Sequence, residues 1–412
     1  MKRTITILTI ALVGLSACTE TNLAPEKLEK GRHVSFLMAP IKNSQTRAES
    51  TVPTFSQDST FGTTAFAIDA AKNWNTVTGS SASIASDISE TNIKGLEISY
   101  QDGVWKSATG ESYYWDDADK SGKNLTFLSW SPYTFGGTST TDLVTYTKLA
   151  ISDATKDFTY SGWKMKNEPG YGYTYNSATG TYDRNQKDGS VDLLLARSTD
   201  CNESNSAETG VVTEFCHQLC NVKFKASILD EPDKDTNGNY VQEWHITKVV
   251  LSGIYTQADL LQTATKTVYK SIWGNFDTSS ASEYTYDVST SPIDLVYIDP
   301  KSENYKETDI FPQTLMLPQS VLPSSSTSAT SRVPKITITY KDKSGTEQTM
   351  SGALATNSPN ETISAWLAGR SITYHVYITS KTYWIDFDVD ASASKWTDAD
   401  EDHKDLIIGN DN

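Results

Sequence analysis

The chain has 412 residues, a formal net charge of −16 and only 21% charged residues. Residues 1–47 hold seven basic and three acidic groups, so the chain from residue 48 onward carries −20; a surface this acidic repels phosphate backbones and argues against nucleic-acid binding. Tyr (21), Trp (10), Thr and Ser dominate over helix-favouring runs, which favours strands and turns.

Met1-Lys2-Arg3 is a basic start, Ile5 to Leu15 an apolar run, and Leu15-Ser16-Ala17-Cys18 closes it. This is the three-part build of a secretory signal, and the run is too short to remain as a membrane span. Small residues ahead of a Cys resemble the lipobox of bacterial lipoproteins, which implies loss of residues 1–17 and acylation of Cys18. Residues 19–31 read as a polar tether. Val34, Phe36 and Met38 then share one face at period two, a short strand pattern, followed by the polar stretch "IKNSQTRAES" with Arg47 and Ala48 inside it.

From about residue 60, short strand-like runs alternate with turn signals: "TTAFAID", "LEISYQDGVW", "LTFLSWSPY" and "VDLLLARS". Asp102-Gly103 between two runs predicts a hairpin. "NEPGYGYTYNSATGTYDRNQKDG" (167–189) reads as a long exposed loop, and the polar stretch 199–210 as a domain boundary. The resulting division is 1–17 signal, 18–47 tether and first strand, 48–209 first β domain, and 210–412 second β domain with an acidic tail. In the second part "TEFCHQLCNVKFKA" (213–226) reads as one strand and 324–331 as a surface loop. Tyr383, Ile385, Phe387 and Val389 alternate with Trp384, Asp386, Asp388 and Asp390, an amphipathic strand. The pattern predicts an all-β chain of sandwich domains.

The chemistry-bearing clusters are near misses. No Gly-rich phosphate loop, His-Glu-x-x-His helix or Gly-x-Ser-x-Gly elbow occurs. Asp233-Lys234-Asp235-Thr236-Asn237-Gly238 and Asp117-Ala118-Asp119-Lys120-Ser121-Gly122 open like calcium loops, but position 12 is Trp244 in one and Leu128 in the other, where a bidentate acid belongs. Asp398, Asp400 and Asp402 lack a glycine turn. Cys216 and Cys220 fall on the opposite strand face from His217, so the ligands diverge. With Cys18 acylated, Cys201, Cys216 and Cys220 are an odd set: either buried free thiols, or Cys201 paired with one of the other two. No metal, cofactor or enzymatic activity is expected.

Several stretches together resemble the fimbrillin family, the type V pilins of Bacteroidetes. They are the lipobox followed by a short strand and Thr46-Arg47-Ala48; "DGVWKSATGESYYWDDADKSGKNLTFLSWSPY" (102–133); "VDLLLARS" leading into "TEFCHQLCNVKFKA"; "FPQTLMLPQS"; and "AWLAGRSITYHVYI". The cysteines flanking His217 and the acidic tail after Trp396 depart from that pattern. The resemblance implies two transthyretin-like β-sandwich domains in tandem and export as an outer-membrane lipoprotein. It also implies cleavage of Arg47–Ala48 by a trypsin-like protease, which removes the groove-filling strand of Val34, Phe36 and Met38. The partners implied are other fimbrial subunits, with Tyr383, Ile385, Phe387 and Val389 as a candidate donor strand, or else as the last strand of their own domain. The other reading is a surface lipoprotein or tip adhesin whose aromatic loops contact a glycan or host protein.

Overall fold

The computed structural model describes residues 33–41, 55–78, 87–133, 144–145, 148–151, 158–165, 172–176, 181–185, 192–241, 244–262, 271–277, 281–298, 307–323, 332–357, 362–379 and 383–390. The fold is all-β, with short helices at Trp74–Thr78 and Glu203–Ser206.

A nine-stranded sheet organises the first half. Its order runs Val211–Thr213, Phe36–Met38, Val104–Ser107, Leu96–Gln101, Phe61–Asp69, Lys123–Ser131, Leu194–Cys201 and Cys216–His217, with Ile88–Glu90 paired to Phe61–Asp69. The central strands are apolar on both faces because each face meets a different core. Phe61, Ala65, Leu125, Phe127, Leu194 and Ala196 point into one cluster; Phe66, Ile68, Leu128, Trp130, Leu193 and Leu195 point into another. Period-two geometry therefore turns runs such as "LTFLSW" into two-sided layers. The Asp102-Gly103 hairpin is present as predicted, both residues at positive φ (53° and 85°) between Gln101 and its partner Val104, as a tight two-residue turn requires.

The second core is closed by a sheet built from both halves of the chain. Phe158–Met165 pairs with Gln257–Gln262, which pairs with Ser271–Gly274; Val144–Thr145 and Lys148–Ile151 add to Phe158–Met165. Tyr160, Trp163, Ala258 and Leu260 are all buried beneath the first sheet, and Gly162 N donates to Asp259 Oδ1 at 2.6 Å.

The third core lies between two sheets of the second half. One runs Thr308–Met316, Cys220–Ile228, Ser371–Ile378, Tyr383–Asp390; the other runs Ala281–Asp287, His245–Tyr255, Lys335–Lys341, Glu347–Ala353, with Ile293–Asp294 on His245–Tyr255. Cys220, Val222, Phe224, Ala226 and Ile228 face inward at period two, as do Ile372, Tyr374, Val376 and Ile378. Phe224 stacks on Tyr374 at 5.0 Å.

Two local expectations differ from what the fold contains. The stretch 213–226 is not one strand: Cys216–His217 pairs with Leu194 and Leu195 of the first sheet, whereas Cys220–Ile228 opens the second sandwich. The chain crosses at Gln218, whose N–H donates to Leu193 O at 2.8 Å and whose carbonyl accepts from Trp273 Nε1 at 2.8 Å. The segment 167–189, expected as a loop, holds a hairpin of Gly172–Asn176 and Thr181–Asn185. The polar stretch 199–210 is a built turn. Asn202 caps the helix Glu203–Ser206 through Ser204 N and Asn205 N, and Asp200 Oδ1 accepts from Trp74 N at 2.7 Å. Those side chains are polar because they replace missing backbone partners.

Candidate functional site

Strand Phe36–Met38 lies inside the first sheet, between two neighbours. It runs antiparallel to Val104–Ser107, with Phe36 opposite Trp105, and parallel to Val211–Thr213, with Phe36, Leu37 and Met38 opposite Val211, Val212 and Thr213. The flanking backbone is engaged too. Val34 N donates to Tyr113 O (2.7 Å), Val211 N to Ser35 O (2.7 Å) and Ala39 N to Thr213 O (2.9 Å), while His33 bridges Tyr114.

Val34, Phe36 and Met38 turn to one core as their spacing predicts, and Ser35 is buried as well. Val34 is buried, Phe36 is 4% exposed, and Met38 is half-buried against the same core, whereas Leu37 points outward at 48% exposure. The Phe36 ring meets Phe61 and Phe127 edge-on at 5.4 and 5.5 Å. Burying Val34 and Phe36 favours the seated strand by about 1.5–3 kcal/mol each. A cleft of about 260 Å³ runs beside it, lined by Val34, Phe36, Leu96, Ile98, Val104 and Tyr113 among others.

Ile41 and Phe55 are both buried in this core. Phe55 stacks on Phe215 at 4.8 Å and meets Trp105 edge-on at 5.3 Å. Arg47 and Ala48 fall in the connection 42–54, outside the described residues, as does Cys18. A cut in that connection leaves residues 33–41 held by their own hydrogen bonds and buried rings.

Gly210 fixes how closely the parallel neighbour approaches. Its φ is +85°, and a Cβ there would lie 3.0 Å from the Phe36 carbonyl carbon and 3.2 Å from Leu37 N. Gly210→Val combines backbone strain with a clash against main chain, which cannot rotate away. It should unseat the strand: limited proteolysis should cut residues 33–41 at least about tenfold faster, an effect of roughly 1.4 kcal/mol or more on the seated state. An unchanged cleavage rate would show that the two backbones are not held at this spacing.

The other side of the groove is braced by a buried cation. Tyr113 and Tyr114, which receive residues 33 and 34, enter the turn "WDDADKSG". There Lys120, 1% exposed, places its Nζ 2.8 Å from each of Asp117 Oδ2, Asp119 Oδ1 and Asn92 Oδ1. An ammonium has three donors, and each has an oxygen. The calcium-like spacing is thus filled by the turn's own lysine. The hydrogen bond from Lys120 holds the Asp117 carboxyl below its ordinary range. For Asp119, burial pushes upward, but bonds from Lys120 and Asn92 N–H prevail and the net shift is down. In the second loop, Asp235 Oδ1 accepts from Asn237 N and Asn239 N at 2.8 Å each, the hydrogen bonding of a tight turn. Among the described residues, no group of three or more His, Cys, Asp and Glu side chains could hold a metal ion.

Cys201, Cys216 and Cys220 are not joined in a disulfide. Burial pushes Cys201 up to about 11 and Cys220 further upward, the opposite of a reactive thiolate. His217 is buried with Nδ1 2.6 Å from Asp192 Oδ2.

The candidate donor residues lie in strand Tyr383–Asp390, antiparallel to Ser371–Ile378 over eight pairs. Tyr383, Ile385, Phe387 and Val389 stand opposite Ile378, Val376, Tyr374 and Ile372, so this segment forms the edge of its own sandwich. Residues 391–412 lie outside the described residues. The sequence pattern reveals the seated strand and the hairpin that carries Val104–Ser107, but neither their pairing nor the lysine brace. "VVT" at 211–213 is a β-branched run that could have been read as a strand; its parallel partner could not.

No protein-family model matches the chain, and no curated protein matches it. Among solved structures, it is similar to a fimbrial protein from Bacteroides vulgatus: 14% identity, 87% of this chain and 99% of that one covered, TM-score 0.50. A cell-adhesion candidate from Bacteroides uniformis matches at 13% identity, with 87% and 98% covered and TM-score 0.38. The tip fimbrial protein Mfa3 from Porphyromonas gingivalis, with a C-terminal truncation, matches at 8% identity, with 86% and 98% covered and TM-score 0.30. Of these three, the first reaches the level at which the overall fold is shared.

Proposed function

We propose that this chain is a structural subunit of a cell-surface fimbria, exported as an outer-membrane lipoprotein on Cys18 and assembled by strand exchange after the Arg47–Ala48 bond is cut. The observation that carries this reading is the seated strand Phe36–Met38. It fills a gap between two strands of the same sheet, contributes Phe36 to the core, and precedes the connection that holds the cleavage site. Taking it out leaves two unpaired backbone edges and an open aromatic cage, a seat for a strand of another chain. The likeness in fold to a fimbrial protein supports the same reading. In this proposal the chain forms two transthyretin-like domains in tandem, and its partners are other fimbrial subunits. It has no catalytic role.

A second reading is favoured by strand Tyr383–Asp390, which is paired within its own chain. A subunit that keeps this strand at home accepts a neighbour but donates through no described segment, as suits a tip adhesin or anchored lipoprotein that binds a glycan or host protein.

Sheared surface material, probed with an antibody and sequenced from its N-terminus, distinguishes the two. Heat-labile ladders whose subunits begin at Ala48 are expected from a cleaved, polymerising subunit. Lipidated monomer alone, beginning at Cys18, would sink the polymer reading.

A further inference from the structure

Strand Val211–Thr213 closes the first sheet on one side. Its ladder partner is Phe36–Met38, and among the described residues no other strand pairs with it. The remaining hold is of a different kind. Val211 and Thr213 are packed into the core, Ser198 Oγ donates to Val212 O at 2.7 Å, and Val212 itself is 54% exposed. Before it, Gly210 N donates to Ser206 O at 2.8 Å, and Gly210 leaves no room for a side chain against Phe36 and Leu37. A three-residue strand has no stability of its own; without the ladder Val211 N loses its acceptor Ser35 O and Thr213 O its donor Ala39 N.

Immediately after this strand the chain crosses between the two halves. Phe215 stacks on Phe55. Cys216 and His217 pair with Leu195 and Leu194, and His217 reaches Asp192. Gln218 is bonded to Leu193 and Trp273, and Cys220 opens the second sandwich. These contacts crowd into the few residues after Thr213, so loss of order at 211–213 is delivered straight to them.

We infer that Val211–Thr213 is a wall that exists only while the groove holds a strand, so that groove occupancy sets the order of the crossing into the second sandwich. An emptied subunit presents one firm edge, Val104–Ser107, and one loose one. An incoming strand orders the loose edge as it pairs, and the crossing tightens with it. The strand's removal belongs to the function proposed above, but polymerisation does not enter: a chain that never forms fibres can still show this coupling.

The test is hydrogen exchange on residues 19–412, comparing the unaltered chain with Phe36→Ser, which empties the aromatic cage, and the milder Val34→Ser. Amides of 211–215 should exchange about tenfold faster or more, those of 216–219 should do likewise, and those of Lys335–Lys341 should be unchanged. If 211–215 stays protected while 34–38 exchanges freely, the wall stands alone and the inference is wrong. Opening confined to 211–213 removes the coupling to the crossing. Global loss of protection in both variants also overturns it, because the strand would then hold the whole fold. Ladder formation is read separately, so absence of fibres leaves this result standing.

Discussion

Asp117→Asn with Asp119→Asn should cost about 3–5 kcal/mol, because it leaves the Lys120 ammonium buried with no opposite charge. The charge, rather than lost packing, is the cause, so adding Lys120→Met should recover at least about 2 kcal/mol of the loss. Urea denaturation of the double and triple variants at pH 7 checks this; a triple variant as unstable as the double would refute the ionic account. The same turn carries a pH dependence. Both carboxyls are held below their ordinary range in the folded chain, so their contribution is complete above the unfolded value near pH 4 and is lost as pH falls through the lowered folded values. Melting temperature should therefore drop as the pH is lowered below about 4, and this part of the drop should be missing from the triple variant. Because Tyr113 and Tyr114 pair with residues 33 and 34, acid should also loosen the seated strand.

The second large effect is expected at Trp163. Its side chain is fully buried, with Tyr160 at 5.4 Å and Trp273 at 6.3 Å, and its backbone pairs with Ala258. Trp163→Ala removes a large side chain from a core shared by both halves and should cost about 3–5 kcal/mol. It also weakens the sheet through which the halves are joined. The unaltered chain should unfold in one co-operative step, whereas the variant should show two, with the sandwich of Cys220–Ile228 and Ser371–Ile378 surviving longer. Calorimetry resolves the two cases; a single step of undiminished sharpness in the variant would show that this sheet does not couple the halves.

Much of this architecture was legible in local pattern. Val34, Phe36 and Met38 alternate as a strand must, and Asp102-Gly103 has the two residues that tolerate positive φ. The single strand assumed through Cys216, His217 and Cys220 is broken at Gln218. What could not be read is pairing at long range. Nothing in "VVT" says that it will lie parallel to a strand 175 residues earlier, and nothing in "TYSGW" says that it will join "QADLL" from the other half. Polarity misled where polar side chains do structural work. In stretch 199–210 the polar Asn202 and Asp200 serve as cap and turn partners, and "DADKSG" looked like a broken calcium loop because its cation is covalently its own. Tyr383–Asp390 showed its amphipathic pattern plainly, but the pattern is equally suited to the edge of its own sheet and to a neighbour's groove.

The direction of the seated strand has a mechanical consequence. A pull applied at residue 33 along the strand axis meets bonds to Val104–Ser107 and Val211–Thr213 that lie across that axis. Such a pull loads every bond at once, in shear, so the ladder gives way only as a whole. A competing strand entering from one end breaks the same bonds one at a time, each worth about 1 kcal/mol. The groove is thus resistant to being emptied by force and open to being emptied by replacement.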